Sequence, residues 1–143
     1  MNTSRIVQTL LLLTAAFTIV GAQAVERIDD GDSEFDPIFS IDEYGADWIA
    51  GDTDDDGVTD YVLKLDEFSQ KRYEAMDFNR DGLMDDFYIY NGGVLASEQL
   101  DTNFDGAIDL WIYMHDGVRV RGYERDTDYD GTVDLVKEFG EDS

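Results

Sequence analysis

Beyond one long apolar stretch, Ile6–Val20, the apolar residues of this chain fall into short runs separated by acidic segments. Leu110–Met114 is followed by His115, Asp116 and Gly117, and then by Val118–Arg121. Asp-Gly between β-branched and aromatic runs is a strong hairpin signal. Phe87–Tyr90, Asn91–Gly93 and Val94–Leu95 repeat that order. Tyr61–Leu65 also reads as a strand. Glu67–Met76 has the propensity of a helix, but it occupies the slot that is a hairpin in the other intervals, so a hairpin is expected there as well.

The acidic segments are regular. Asp52–Asp60, Asp77–Asp85, Asp101–Asp109 and Asp126–Asp134 share the frame D-x-[DN]-x-D-G-x-x-D, and their starts lie 25, 24 and 25 residues apart. Repeats at a fixed period are one supersecondary unit used several times. About 16 residues separate one loop from the next, which suits two short strands and a tight turn but not two helices. The fold class expected is all-β, a linear array of three to four β-hairpin repeats joined by these loops. Two residues past each closing Asp stand Val62, Phe87, Trp111 and Val136, expected to form a buried row. Their neighbours Leu63, Tyr88 and Ile112 suggest that the opposite strand face is covered by the next repeat.

The frame has a physical reason in calcium coordination. A hard cation takes six to eight oxygens at ~2.3–2.6 Å. Side chains at positions 1, 3 and 5 converge on it, Gly at position 6 permits the sharp turn, position 7 offers a backbone carbonyl, and the acid at position 9 closes the site. The expected ligands are Asp52, Asp54, Asp56, Val58 and Asp60 in the first loop, and Asp77, Asn79, Asp81, Leu83 and Asp85 in the second. The third offers Asp101, Asn103, Asp105, Ala107 and Asp109, and the fourth Asp126, Asp128, Asp130, Thr132 and Asp134. Asp, Asn and Gly also build ordinary solvated turns, but turns need neither position 1 nor position 9. Carboxylates crowded in one loop repel by a few kcal/mol at an effective dielectric of ~20, so about four Ca2+ ions are expected. Magnesium prefers a tighter octahedral shell, and zinc is disfavoured by the absence of Cys and by a single His, His115. The first and fourth loops carry Asp54 and Asp128 at position 3 where the middle two carry Asn, so the end loops are expected to bind tightest.

These loops resemble the calcium loops of EF-hands, dockerins, thrombospondin type 3 repeats and integrin-type β-propeller blades. The resemblance spans about nine residues per repeat and implies calcium rather than a particular fold. An EF-hand has a bidentate Glu at position 12, where this chain has Leu63, Tyr88, Ile112 and Lys137. Dockerin loops are followed by helices, and thrombospondin type 3 repeats carry cysteines that this chain lacks. A loop that ends on Asp at position 9 and joins two strands is most similar to the propeller-blade type.

Composition widens the picture outside the loops. Arg5, the run Ile6–Val20 and the triplet Ala22–Ala24 have the three parts of a secretory signal peptide, with cleavage expected after Ala24. The alternative is a retained membrane anchor. No Cys stands near the junction to carry a lipid. The expected organisation is therefore a signal peptide over 1–24, an acidic leader and N-terminal cap over 25–51, and a four-repeat calcium-loop domain over 52–143. Phe35–Phe39 and Trp48–Ile49 are the candidate cap for the first repeat. Localisation is expected to be extracytoplasmic, secreted or periplasmic. The formal net charge is −24 and becomes one unit more negative without Arg5, which disfavours nucleic acid and anionic membranes as partners. Eighteen aromatic residues (8 Tyr, 8 Phe and 2 Trp) argue against a disordered acidic tail. The sequence has no nucleophile elbow and no phosphate loop, and His115 beside Asp116 falls in a hairpin turn, so catalysis is not expected. The function expected is a calcium-dependent structural or interaction module that meets another exported or cell-surface protein or a polysaccharide. The alternative is a calcium sensor or buffer with EF-hand-like helical loops.

Overall fold

The computed structural model describes residues 25–28 and 35–140. The leader, its cleavage triplet and most of the acidic stretch Asp29–Asp36 lie outside these residues. Eight strands follow one another: β1 Ile49–Gly51, β2 Tyr61–Leu65, β3 Lys71–Met76, β4 Asp86–Asn91, β5 Val94–Leu100, β6 Leu110–His115, β7 Arg119–Arg125 and β8 Leu135–Glu138. They form one antiparallel sheet in sequence order, with β1 and β8 as its two edges, so it stays open rather than closing into a barrel. The interval 67–76, whose propensity favours a helix, instead holds most of the β2–β3 turn and strand β3 itself. Three tight turns close the hairpins β2–β3, β4–β5 and β6–β7, and each hairpin carries a register irregularity near its turn.

Cross-strand partners share a face because side chains alternate along each strand. One register row crosses the sheet as Val62, Ala75, Phe87, Gln99, Trp111, Glu124 and Val136. This is the expected row, but only its first part is an apolar core. Val62, Ala75 and Phe87 are buried together with Met84, whereas Trp111 and Val136 are only half-buried. The cause is the cover. Phe35, Phe39, Ile41, Tyr44 and Trp48 pack over the first half of this face. The Phe39 ring meets Phe87 edge-on at 5.2 Å and Phe35 stacks on Tyr73 at 4.8 Å. The segment therefore roofs the face of several strands instead of capping the end of the first, and Ile49 belongs to β1 and is exposed.

The second half of the same face is covered differently. Glu124 is fully buried and takes the Arg27 guanidinium at 2.6 Å, the Tyr113 hydroxyl at 3.0 Å and the Ile28 backbone N–H. Gly122 makes room for this arm, since a Cβ there would meet Lys137 O at 2.7 Å and Ile28 Cδ1 at 2.8 Å. A carboxylate can sit in this row because it is paired with a cation and hydrogen-bonded.

Leu63, Tyr88 and Ile112 lie on the opposite face and are half-buried. Successive repeats lie edge to edge in one sheet, so the next repeat does not cover this face, contrary to what Leu63, Tyr88 and Ile112 had suggested. The substantial contacts all join consecutive strands. No helix among the described residues is long and apolar enough to cross a membrane.

Candidate metal centres

In an antiparallel meander, alternate connections fall on opposite ends of the sheet. The four Asp-rich loops connect β1–β2, β3–β4, β5–β6 and β7–β8, so all four line one end, with the hairpin turns at the other. Each loop is closed at its base by the N–H of position 9, which donates to the residue before position 1 at 2.8–3.0 Å. Adjacent loops are also joined. The N–H groups of Asp77, Asp101 and Asp126 donate to the carbonyls of Asp60, Asp85 and Asp109 at 2.8–3.0 Å. The four loops thus form a hydrogen-bonded row.

Within each loop, the position 1 carboxylate accepts the N–H of the position 6 glycine, at 2.7 Å for Asp52, Asp101 and Asp126 and 2.9 Å for Asp77. Those glycines have φ between 85° and 92°, a region open to Gly at little cost. Position 5 carboxylates accept the N–H of position 7, where Val58, Leu83, Ala107 and Thr132 stand. Position 9 accepts the N–H of position 2 in every loop. These bonds curl each loop so that its carboxylates converge.

Convergence brings three carboxylates within 4.8 Å of one another in three loops: Asp52, Asp54 and Asp60; Asp77, Asp81 and Asp85; and Asp126, Asp128 and Asp134. Asp56 and Asp130 stand outside those triplets, and the third loop, with Asp101, Asn103, Asp105 and Asp109, forms no such triplet among the described residues. In the middle loops the position 3 amide donates to position 5, Asn79 to Asp81 and Asn103 to Asp105, both at 2.9 Å. With Asp at position 3 the two acids repel instead, and Asp130 is the main reason that Asp128 is pushed above the usual carboxylate range. Burial, reinforced by Asp77 and Asp81, raises Asp85 against the N–H bonds it accepts. Asp52 is held low, chiefly by the Gly57 N–H. Burial opposes the same effect at Asp126, where the N–H bonds from Gly131 and its neighbours prevail. Each cluster is an all-oxygen donor set carrying repulsion that a bound cation would relieve. Such a set fits a hard metal ion.

Three contributors to these loops were missed by the frame. Thr53, Thr102 and Thr127 at position 2 donate their hydroxyls to the position 9 carboxylate at 2.6 Å, and Thr at that position in three of four frames was the available signal. Met84 and Ile108 at position 8 turn inward to the core. Loop two is further tied to the roofing segment, with the Met84 N–H on Phe39 O at 2.7 Å. Third, the Arg80 guanidinium pairs with Asp54 of the neighbouring loop, for which the sequence carried no local signal. Strands flank every loop, so the EF-hand-like helical arrangement is not adopted. His115 and Asp116 are 3.1 Å apart at an exposed turn, and Arg119 lies 4.0 Å from Asp116.

No protein-family model matches the chain, and comparison with curated proteins gives no match. The structure defines an open antiparallel sheet with acidic clusters, able to hold metal ions, along one end.

Proposed function

We propose that this is an exported calcium-binding repeat protein with a structural or interaction role and no catalytic activity of its own. The observation that carries the reading is the row of four nine-residue loops on one end of one sheet, three of which gather three carboxylates within 4.8 Å. Oxygen-only donors of high charge favour calcium over zinc. Each ion would neutralise one loop and tie together the two strands that it joins. The hydrogen-bonded row would then pass the order of one loop to the next. The partner would be another exported or cell-surface protein or a polysaccharide, met by a sheet end made rigid by calcium.

Calorimetric titration of calcium into the metal-free protein tests this, with the melting temperature followed in parallel. About four ions should bind. At ~1 mM free calcium a site of Kd ~0.1–1 mM contributes roughly 0.4–1.4 kcal/mol, so four contribute about 2–6 kcal/mol and raise the melting temperature by on the order of 10–20 °C. Absence of binding at millimolar calcium together with an unchanged melting curve would overturn the reading.

A further inference from the structure

We propose that Arg80 is a tethered cation that competes with calcium for the first loop and ranks it below the fourth. The inference rests on the calcium reading of the loops. Position 4 has φ of 61–62° in all four loops, at Asp55, Arg80, Phe104 and Tyr129. This left-handed backbone is uncommon outside glycine, and in loop two the side chain that it carries reaches back to the preceding loop. Loop one has no preceding loop, and Phe104 and Tyr129 carry no charge. Only Arg80 therefore delivers a positive charge to a neighbour.

Its guanidinium pairs with Asp54, a member of the first loop's carboxylate triplet. The backbone N–H of Arg80 donates to Asp77 Oδ1 at 2.6 Å, which anchors the base of the side chain in loop two. Arg80 also lines a cavity of about 50 Å3 whose other walls include Asp54, Asp56 and Asp60, so it borders the carboxylates of loop one as well as pairing with one of them. Without calcium it offsets part of their repulsion. With calcium the two cations share Asp54 or the guanidinium leaves, and either course lowers the affinity of loop one. The fourth loop also has Asp at position 3, but the guanidinium beside it, that of Arg125, bonds the Tyr129 hydroxyl at 3.5 Å rather than a carboxylate of the triplet. Ligand charge alone would rank the first and fourth loops together, and Arg80 separates them.

Nuclear magnetic resonance of the full chain reads the loops one at a time, because the amide of each position 6 glycine (Gly57, Gly82, Gly106, Gly131) is bonded to its own loop's first carboxylate. In wild type, Gly57 should reach its titration midpoint at higher calcium than Gly131. Arg80→Gln should tighten the Gly57 midpoint by about three- to tenfold, given an exposed ion pair and a unit charge near a divalent ion, while Gly131 stays put. Arg80→Lys keeps the charge and should stay within about twofold of wild type. In an Asp54→Asn background the effect of Arg80→Gln should shrink to less than half of its value, as coupling through Asp54 requires. An unchanged or weakened Gly57 midpoint in Arg80→Gln overturns the role of Arg80 and leaves the calcium loops standing. A wild-type protein in which no glycine signal responds to calcium overturns both.

Discussion

The Glu124 carboxylate offers the sharpest test of how this sheet is held together. It is fully buried, and it binds Arg27 at 2.6 Å, Tyr113 at 3.0 Å and the Ile28 N–H. Arg27 also lies over the Trp111 ring at 4.6 Å. Glu124→Ala removes the acceptor of three donors and strands Tyr113 and the Ile28 N–H. Breaking a fully buried ion pair costs about 3–5 kcal/mol. The Arg27 side chain is 52% exposed, so its share is screened by water, and the expected loss is near the lower end, about 3 kcal/mol. That is a large part of the ~5–15 kcal/mol stability usual for a domain. Arg27→Ala should cost less, about 1–2 kcal/mol, because Tyr113 and Ile28 still serve the carboxylate. Urea unfolding of the two single variants and the double variant gives the pairwise coupling, expected at about 1 kcal/mol. Coupling within ~0.3 kcal/mol of zero, the limit for independent sites, would refute the claim that the Arg27 arm is fastened through Glu124.

Three other expectations follow from the loops and the open face. Asp128→Asn should weaken the fourth site by about three- to tenfold, since ligand charge raises calcium affinity; site-resolved titration at Gly131 checks it. Thr102→Val keeps its backbone bond but loses the 2.6 Å hydroxyl bond to buried Asp109, and should cost about 0.5–1.5 kcal/mol in thermal unfolding. Asp86, pushed up to about 7 by burial and by Glu98 beside it, is an acid whose folded form favours the proton. Its stability penalty is absent below the unfolded pKa near ~4, grows as pH rises, and is complete above about 7. In calcium-free buffer Asp86→Asn should therefore stabilise the protein at pH 8, and the gain should fade as pH drops toward 4. A pH-independent difference would contradict that assignment.

Much of the molecule was legible along the chain because its signals are local. Alternating apolar and aromatic runs around Asn91–Gly93 and Asp116–Gly117 specify hairpins through turn chemistry that needs no distant partner. The frame D-x-[DN]-x-D-G-x-x-D specifies the loops in the same way, since its hydrogen bonds close within nine residues. Even the interval with helical propensity was placed correctly by its position in the repeat, which outweighed the preference of its residues. What only the tertiary structure decided are relations between segments far apart in sequence. Antiparallel pairing in sequence order set all four loops on one end and laid the repeats edge to edge. The roof of Phe35, Phe39 and Trp48 reaches only the first strands, so Phe87 is buried where Trp111, in the same register row, is not. The Arg27 arm reaches Glu124 from 97 positions away, which is how a carboxylate comes to be buried in that row. Arg80 reads as one more basic residue in its own loop, and its partner Asp54 lies 26 positions earlier. Loop spacing cannot encode that contact, because it exists only once two loops stand side by side on the sheet.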